Sequence, residues 1–307
     1  MIRNFLFHRV SPERDQLWDP MDVAFFDKCI SYITGHYQVM LLEDMVSMPN
    51  LKNLDNIATI LFDDGYKDNI QFAAPILAKY NCKASFYVVT DCIENNIPTW
   101  THILEYRFQY TNKSDINLNF DFFPPDLRVT NLPTKEKRLE YVKKLKPFLK
   151  KIPHLERKQA LEIIDLSFDD VNLPRIMMDW QDLLQLKIQG HYIGSHSISH
   201  CLFGSMTDDS EVLNELLVSG QTIERHLGHF PKTISYPVGS YNKKTIELSK
   251  KAGYTIGLAV DQRTYDPSTD SIFEIPRIEL YNENWLKTRL RITTHLEKFK
   301  TFIGYNK

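Results

Sequence analysis

The sequence predicts an α/β protein built on a mainly parallel sheet or barrel, and three observations predict it. Short apolar runs alternate with amphipathic stretches along most of the 307 residues, the rhythm of strands crossed over by helices. One run, Ala58-Thr59-Ile60-Leu61-Phe62, stops abruptly at Asp63-Asp64-Gly65, a turn at a strand's C-terminal edge. The composition, 43% hydrophobic and 25% charged, is that of an ordinary globular chain and excludes wholesale disorder, collagen-like repeats and a disulfide scaffold.

The first strand is expected over Asn4 to Val10. A helix follows over Met21 to Gly35, where Val23, Phe26, Cys29, Ile30 and Ile33 recur at helical spacing before the glycine stop. The strand at 58–62 leads into a helix over Asn69 to Tyr80 and a strand over Ala84 to Val89, one βαβ unit. From about residue 95 to 178 the rhythm breaks, and Pro124-Pro125, Pro133, Pro147 and Pro153 punctuate lysine-rich helical stretches. This region reads as an insertion or lid on a single domain spanning 1–307. The pattern resumes with a helix over Trp180 to Gln189, a strand over Tyr192 to Gly194, a helix over Glu211 to Leu227 and a strand over Thr233 to Tyr236. A helix over Lys243 to Ala252 and a strand over Tyr254 to Val260 complete it.

With 37 basic against 39 acidic residues, no global field argues for nucleic acid. Residues 134–158 hold ten Lys/Arg and three Glu. Such a stretch is ordinarily a solvated helical face, and its functional reading is contact with phosphate groups or an anionic membrane surface. The opening Met-Ile-Arg-Asn-Phe-Leu-Phe-His is too short an apolar run for a signal peptide, and no segment approaches a membrane span. The four cysteines show no CxxC spacing, so reduced thiols are expected. Together these predict a cytoplasmic location, with peripheral contact to the inner membrane as its variant.

The strongest chemical feature is His196-Ser197-Ile198-Ser199-His200, since imidazoles at i and i+4 on a helical turn can share a metal. The glutamate of an HExxH protease is absent. Catalytic zinc takes three protein ligands, and the strand end at Asp63-Asp64 offers the third, one carboxylate binding metal while its neighbour acts as base. Taken singly, Asp-Asp-Gly is a turn and the histidines are polar loop residues. Together, both at strand ends, they point to a metal site.

In order, Leu61-Phe62-Asp63-Asp64-Gly65-Tyr66, His196-Ser197-Ile198-Ser199-His200 and Ser235-Tyr236-Pro237-Val238-Gly239-Ser240-Tyr241 resemble the first three motifs of the polysaccharide deacetylases, carbohydrate esterase family 4 or NodB homology domain. The likeness spans about residues 58–92 and 180–260 and leaves the insertion uncovered. It implies a distorted (β/α)7 barrel and a divalent metal held by Asp64, His196 and His200, with Asp63 as catalytic base and the Val238 backbone N–H as oxyanion donor. Zinc is preferred, and cobalt, nickel, manganese or iron also suit the ligands. Tyr66, Trp100, Pro237 and Tyr241 are the substrate-binding candidates. The family's third motif usually carries an arginine where this chain has Ser235, and Arg277 is the candidate replacement. The family's general acid lies in a Leu-x-His near the C-terminus. Here Leu6-Phe7-His8 has that form, as in circularly permuted relatives, which makes His8 the candidate acid. In a closed barrel the first and last strands are neighbours, so the permutation costs nothing geometrically. His102 and His191 are weaker candidates, and His295 falls in a basic amphipathic stretch.

The resemblance implies metal-dependent removal of an N-acetyl group from an amino sugar or polysaccharide precursor. The expected partner is an N-acetylated saccharide, nucleotide-linked or lipid-linked, with membrane contact through 134–158 or the stretch from Trp285 to Phe302. Two other readings stand beside it: hydrolysis of a non-sugar amide or ureide, and a catalytically degenerate glycan-binding protein.

Overall fold

The chain opens with β1 (Arg3–Phe7), buried from Asn4 onward. The computed structural model describes residues 1–49 and 56–294. After β1 come α1 (Val23–His36), β2 (Gln38–Val39), α2 (Leu42–Val46), β3 (Ile57–Phe62), α3 (Ala74–Lys79), β4 (Ser85–Val88) and α4 (Thr90–Asn95). The insertion holds α5 (Trp100–Tyr110), β5 (Asp115–Asn117), α6 (Pro125–Arg128), β6 (Val129–Asn131), α7 (Lys135–Leu149) and α8 (His154–Ser167). Then follow α9 (Trp180–Ile188), β7 (Tyr192–Ser195), α10 (Asp209–Leu227), β8 (Thr233–Ser235), α11 (Lys243–Ala252), β9 (Ile256–Leu258), β10 (Ile278–Glu279) and α12 (Trp285–Ile292).

A parallel sheet in the order β10-β1-β3-β4-β7-β8-β9, with β2 also on β3, forms the centre. All six residues of β3 are buried, as expected of a strand covered on both faces. Alternation along the strands sorts two cores. Phe5, Phe7, Ile60 and Phe62 face outward onto α1 and α3, whereas Leu6, Ile57 and Leu61 face inward with Tyr87, Leu258 and Ile275. The sheet curls far enough that Ile275, just before β10, bridges to Leu258 in β9. This is the half-barrel of parallel strands with surrounding helices that the resemblance implies. β1 lies between β10 and β3, the place the permuted order requires.

Under the barrel α2 inserts the buried Glu43, which accepts from Ser85 Oγ (2.7 Å), Tyr87 OH (2.9 Å) and Thr233 Oγ1 (2.7 Å) at the N-terminal ends of the strands. Residues of the insertion build a separate apolar cluster around Leu104, Phe108, Tyr141, Leu145, Ile164 and Phe168. Contrary to the punctuating role expected of Pro147, α7 runs two residues past it, because a proline in a last turn removes little of the hydrogen-bond ladder. The helix expected from Asn69 begins instead as a wide π-helical turn over Asn69–Ala73, for Pro75 leaves no N–H to continue the regular ladder. All four cysteines are buried and unpaired. No helix among the described residues is long and apolar enough to cross a membrane. His295 and the last eight residues of the stretch from Trp285 to Phe302 lie outside the described residues.

Candidate metal and catalytic site

At the C-terminal ends of the strands a cavity of about 180 Å³ opens. Asp63 and Asp64 reach its wall by leaving β3, His196 and His200 by leaving β7, and His8 by leaving β1. The backbone there is unusual: Asp64 (φ 76°), Ser197 (φ 70°), His200 (φ 58°) and Val238 (φ 57°) all adopt left-handed conformations. For a β-branched valine that is a strained state, and such outliers concentrate at functional sites.

One ligand atom each from Asp64, His196 and His200 falls within a 4.8 Å cluster. Asp64 Oδ1 stands 3.4 Å from the Nε2 of both histidines, buried and without a hydrogen-bond partner. His196 Nδ1 must donate to the Ser235 carbonyl (2.8 Å), which leaves its Nε2 lone pair aimed at Asp64. Burial pushes the His200 imidazole down to about 3 and so keeps it neutral. Burial would lower His196 too, but the facing Asp63 and Asp64 carboxylates raise it, so a proton and a cation compete for that nitrogen. An orphaned carboxylate oxygen between two free imidazole nitrogens fits a divalent cation, with three protein ligands in the manner of catalytic sites.

Asp63 has a different environment. Arg277, fully buried, gives Nη1 to both Asp63 oxygens at 2.8 Å and its Nε to the Ala259 carbonyl at 2.8 Å. Ser235, the residue in the motif's arginine position, donates its hydroxyl to Asp63 Oδ2 at 3.1 Å. Burial works to raise the Asp63 carboxyl, and Arg277, His196 and His8 together outweigh it, leaving Asp63 below its ordinary value. His8 lines the same cavity, with Nδ1 3.4 Å from Glu279 Oε1 and its ring edge-on to Trp18.

The structure thus brings together Asp63, Asp64, His196, His200, His8, Arg277 and Val238. It does not bring the aromatic candidates to the cavity wall. Tyr66 is fully buried behind Trp18, its hydroxyl 3.3 Å from His102 Nδ1. Trp100 is spent on the His200 carbonyl (Nε1 donating at 3.0 Å), Pro237 is buried, and Tyr241 stacks on Tyr236 and donates to Glu274 Oε1 at 3.2 Å. Tyr66, Trp100 and Tyr241 each have a partner inside the fold that competes with a ligand for the ring or donor. His102 and His191, both pushed down to about 4 chiefly by burial, lie away from the cavity. Trp18 and Glu279 line it without having been read from the sequence, and Lys146 and Lys150 reach it from the basic stretch 134–158. Glu279 had a signal, since it stands two residues after Arg277 along a strand and so shares its face.

With this geometry, comparison with known proteins is informative. The profile of the polysaccharide deacetylase family matches residues 51–257. The chain belongs to the polysaccharide deacetylase family. That family consists of hydrolases of carbon–nitrogen bonds outside peptides, and its carbohydrate esterase members are metalloenzymes. Polysaccharide deacetylase-like YxkH of Bacillus subtilis (strain 168) is 21% identical over 210 residues, which make up 68% of this chain and 47% of that protein. The chain therefore spans about half the length of the curated relative it matches. Among solved structures, the Streptococcus pyogenes deacetylase PplD, in complex with acetate, superposes with a TM-score of 0.62 at 15% identity, covering 95% of this chain and 97% of that one. A de-N-acetylase from Aggregatibacter actinomycetemcomitans gives 0.58 at 14% identity over 95% and 99%. At these identities the likeness establishes the fold.

Proposed function

We propose that this polysaccharide deacetylase relative removes an N-acetyl group from an amino sugar in a glycan or glycan precursor, using a divalent cation, zinc by preference, held by Asp64, His196 and His200. The observation that carries the reading is the convergence of those three ligand atoms beside a carboxylate, Asp63, kept ionised by Arg277. When bound there, the cation supplies Lewis acidity, polarising the acyl oxygen and acidifying water.

Asp63 takes the proton of the attacking water, whose oxygen bonds to the acyl carbon. Its two contacts to Arg277 and one to Ser235 fix the carboxylate's orientation. Charge gathering on the acyl oxygen is met by the Val238 N–H on the cavity wall, held by a strained backbone that does not have to reorganise. His8, whose Nδ1 lies 3.4 Å from Glu279 Oε1, gives a proton to the nitrogen as the carbon–nitrogen bond breaks. Acetate and a free amine leave.

The test joins metal content to activity. Elemental analysis is expected to find one equivalent of metal in the wild type and little in His196→Ala, with acetate release from N-acetylated chito-oligosaccharides lost alongside it. Metal-replete wild type that releases acetate from no N-acetylated sugar, while cleaving non-sugar amides or ureides, overturns the sugar assignment; one that cleaves neither supports a glycan-binding protein without turnover. Cytoplasmic location and membrane contact through 134–158 are part of the same proposal, and failure to co-float with anionic liposomes removes the membrane part.

A further inference from the structure

The barrel does not supply the whole cavity wall. Lys146, in the last turn of α7, and Lys150, which caps that helix, line it from the insertion, facing Glu105 of α5. Their i, i+4 spacing puts both on one side of the helix, while Lys144 is exposed on another. The basic stretch 134–158 is therefore only partly a solvated face.

The two lysines differ in partner. Lys146 is ion-paired with Glu105, whereas half-buried Lys150 has no carboxylate within ion-pair distance among the described residues. The carboxylates lining the cavity are Asp63, Asp64, Glu105 and Glu279. A divalent cation on the ligand cluster, with Arg277 and Lys146, matches those four charges, which leaves Lys150 in excess. A neutral acetylated sugar would leave this positive charge facing a confined space without compensation.

We propose that the substrate carries an anionic group, a phosphate or a carboxylate, on or next to the acetylated sugar, and that Lys150, supported by Lys146, selects it. An ammonium on a flexible stem accepts either anion, so the lysine pair defines the charge of the substrate and the probes must define its chemistry. The inference rests on the deacetylase reading for the sugar, but its test reads binding, so the two fail separately.

Titration calorimetry on the full chain as purified compares N-acetylglucosamine with N-acetylglucosamine 1-phosphate and with N-acetylmuramic acid. At least one anionic sugar is expected to bind about tenfold more tightly than the neutral one, the order of effect a partly screened single charge supplies. Preference for the phosphate or for the carboxylate sugar assigns the source. The ratio is expected to fall to near one in Lys150→Met, which keeps the stem, to persist in Lys150→Arg, and to persist in Lys144→Met. Equal binding of all three sugars by the wild type, undetectable binding of both anionic sugars at millimolar concentration, or a preference that survives Lys150→Met overturns the proposal. The last outcome would place the anion on the metal ligands instead. Anionic preference without acetate release leaves the anion site standing and refutes the deacetylase reading.

Discussion

Arg277→Met tests the electrostatics of the site most directly. Arg277 is fully buried and contacts both oxygens of an equally buried Asp63 at 2.8 Å, and it also holds the Ala259 carbonyl. Methionine keeps an apolar stem and removes the charge and every donor. Cutting one partner from a buried pair costs about 3–5 kcal/mol, because the remaining charge stays desolvated. The orphaned Ala259 carbonyl adds to that loss. In the wild type Asp63 is held below its ordinary value of 3.8, so its ionised form stabilises the fold above that pH, and the contribution fades as acid protonates the folded state. Without Arg277, burial is opposed by the weaker pulls of His196 and His8, and the carboxyl moves up. In strong acid Asp63 is protonated in both proteins and this part of the deficit vanishes. It opens as pH rises through the window between the two values and is complete once both are ionised. Urea unfolding of metal-free wild type and variant between pH 3 and 8 is therefore expected to show a deficit that grows toward neutrality, and Asp63→Asn is expected to recover much of it in the double variant. A deficit under about 1 kcal/mol at pH 7, the worth of an exposed pair, or one that does not change with pH, refutes the reasoning.

Asp63→Asn leaves the three ligand atoms in place and is expected to retain metal by elemental analysis while acetate release falls at least about 100-fold, the low end of general-base effects. His8→Ala is expected to slow amide hydrolysis by about 10²-fold or more, and to slow an activated acetate ester far less, since that leaving group needs no proton; equal losses on both substrates would remove the acid role. Burial raises Glu43 above its ordinary 4.5, so the folded chain holds that proton more tightly and the wild type loses stability as pH climbs above that value. Glu43→Gln lacks the slope, and thermal unfolding from pH 4 to 8 should show the wild type declining relative to the variant. A Cβ on Gly194 would sit 2.4 Å from Tyr87 Cδ1, so Gly194→Ala is expected to cost about 1–3 kcal/mol in urea unfolding, as overpacking does.

Local chemistry made much of this protein legible from its sequence alone. The buried strands appear as continuous apolar runs, and Asp63-Asp64 and His196-Ser197-Ile198-Ser199-His200 are each short contiguous segments, so short-range spacing reports them, although the second is an irregular loop with Ser197 and His200 left-handed and not the helical turn expected. β2 and β10, two residues long each, leave no periodicity and exist because a neighbouring strand offers them hydrogen bonds. Only the tertiary structure decided the contact of Arg277 with Asp63, 214 residues apart, the carboxylate-hydroxyl cluster around Glu43, and the turning of Lys146 and Lys150 into the cavity. It also sent Tyr66 and Tyr241 to partners within the fold, because motif spacing fixes where a backbone turns and not which side chain a ring packs against. Those contacts depend on how far the sheet curls and where the insertion folds back, and both are set by long-range packing that local spacing does not encode.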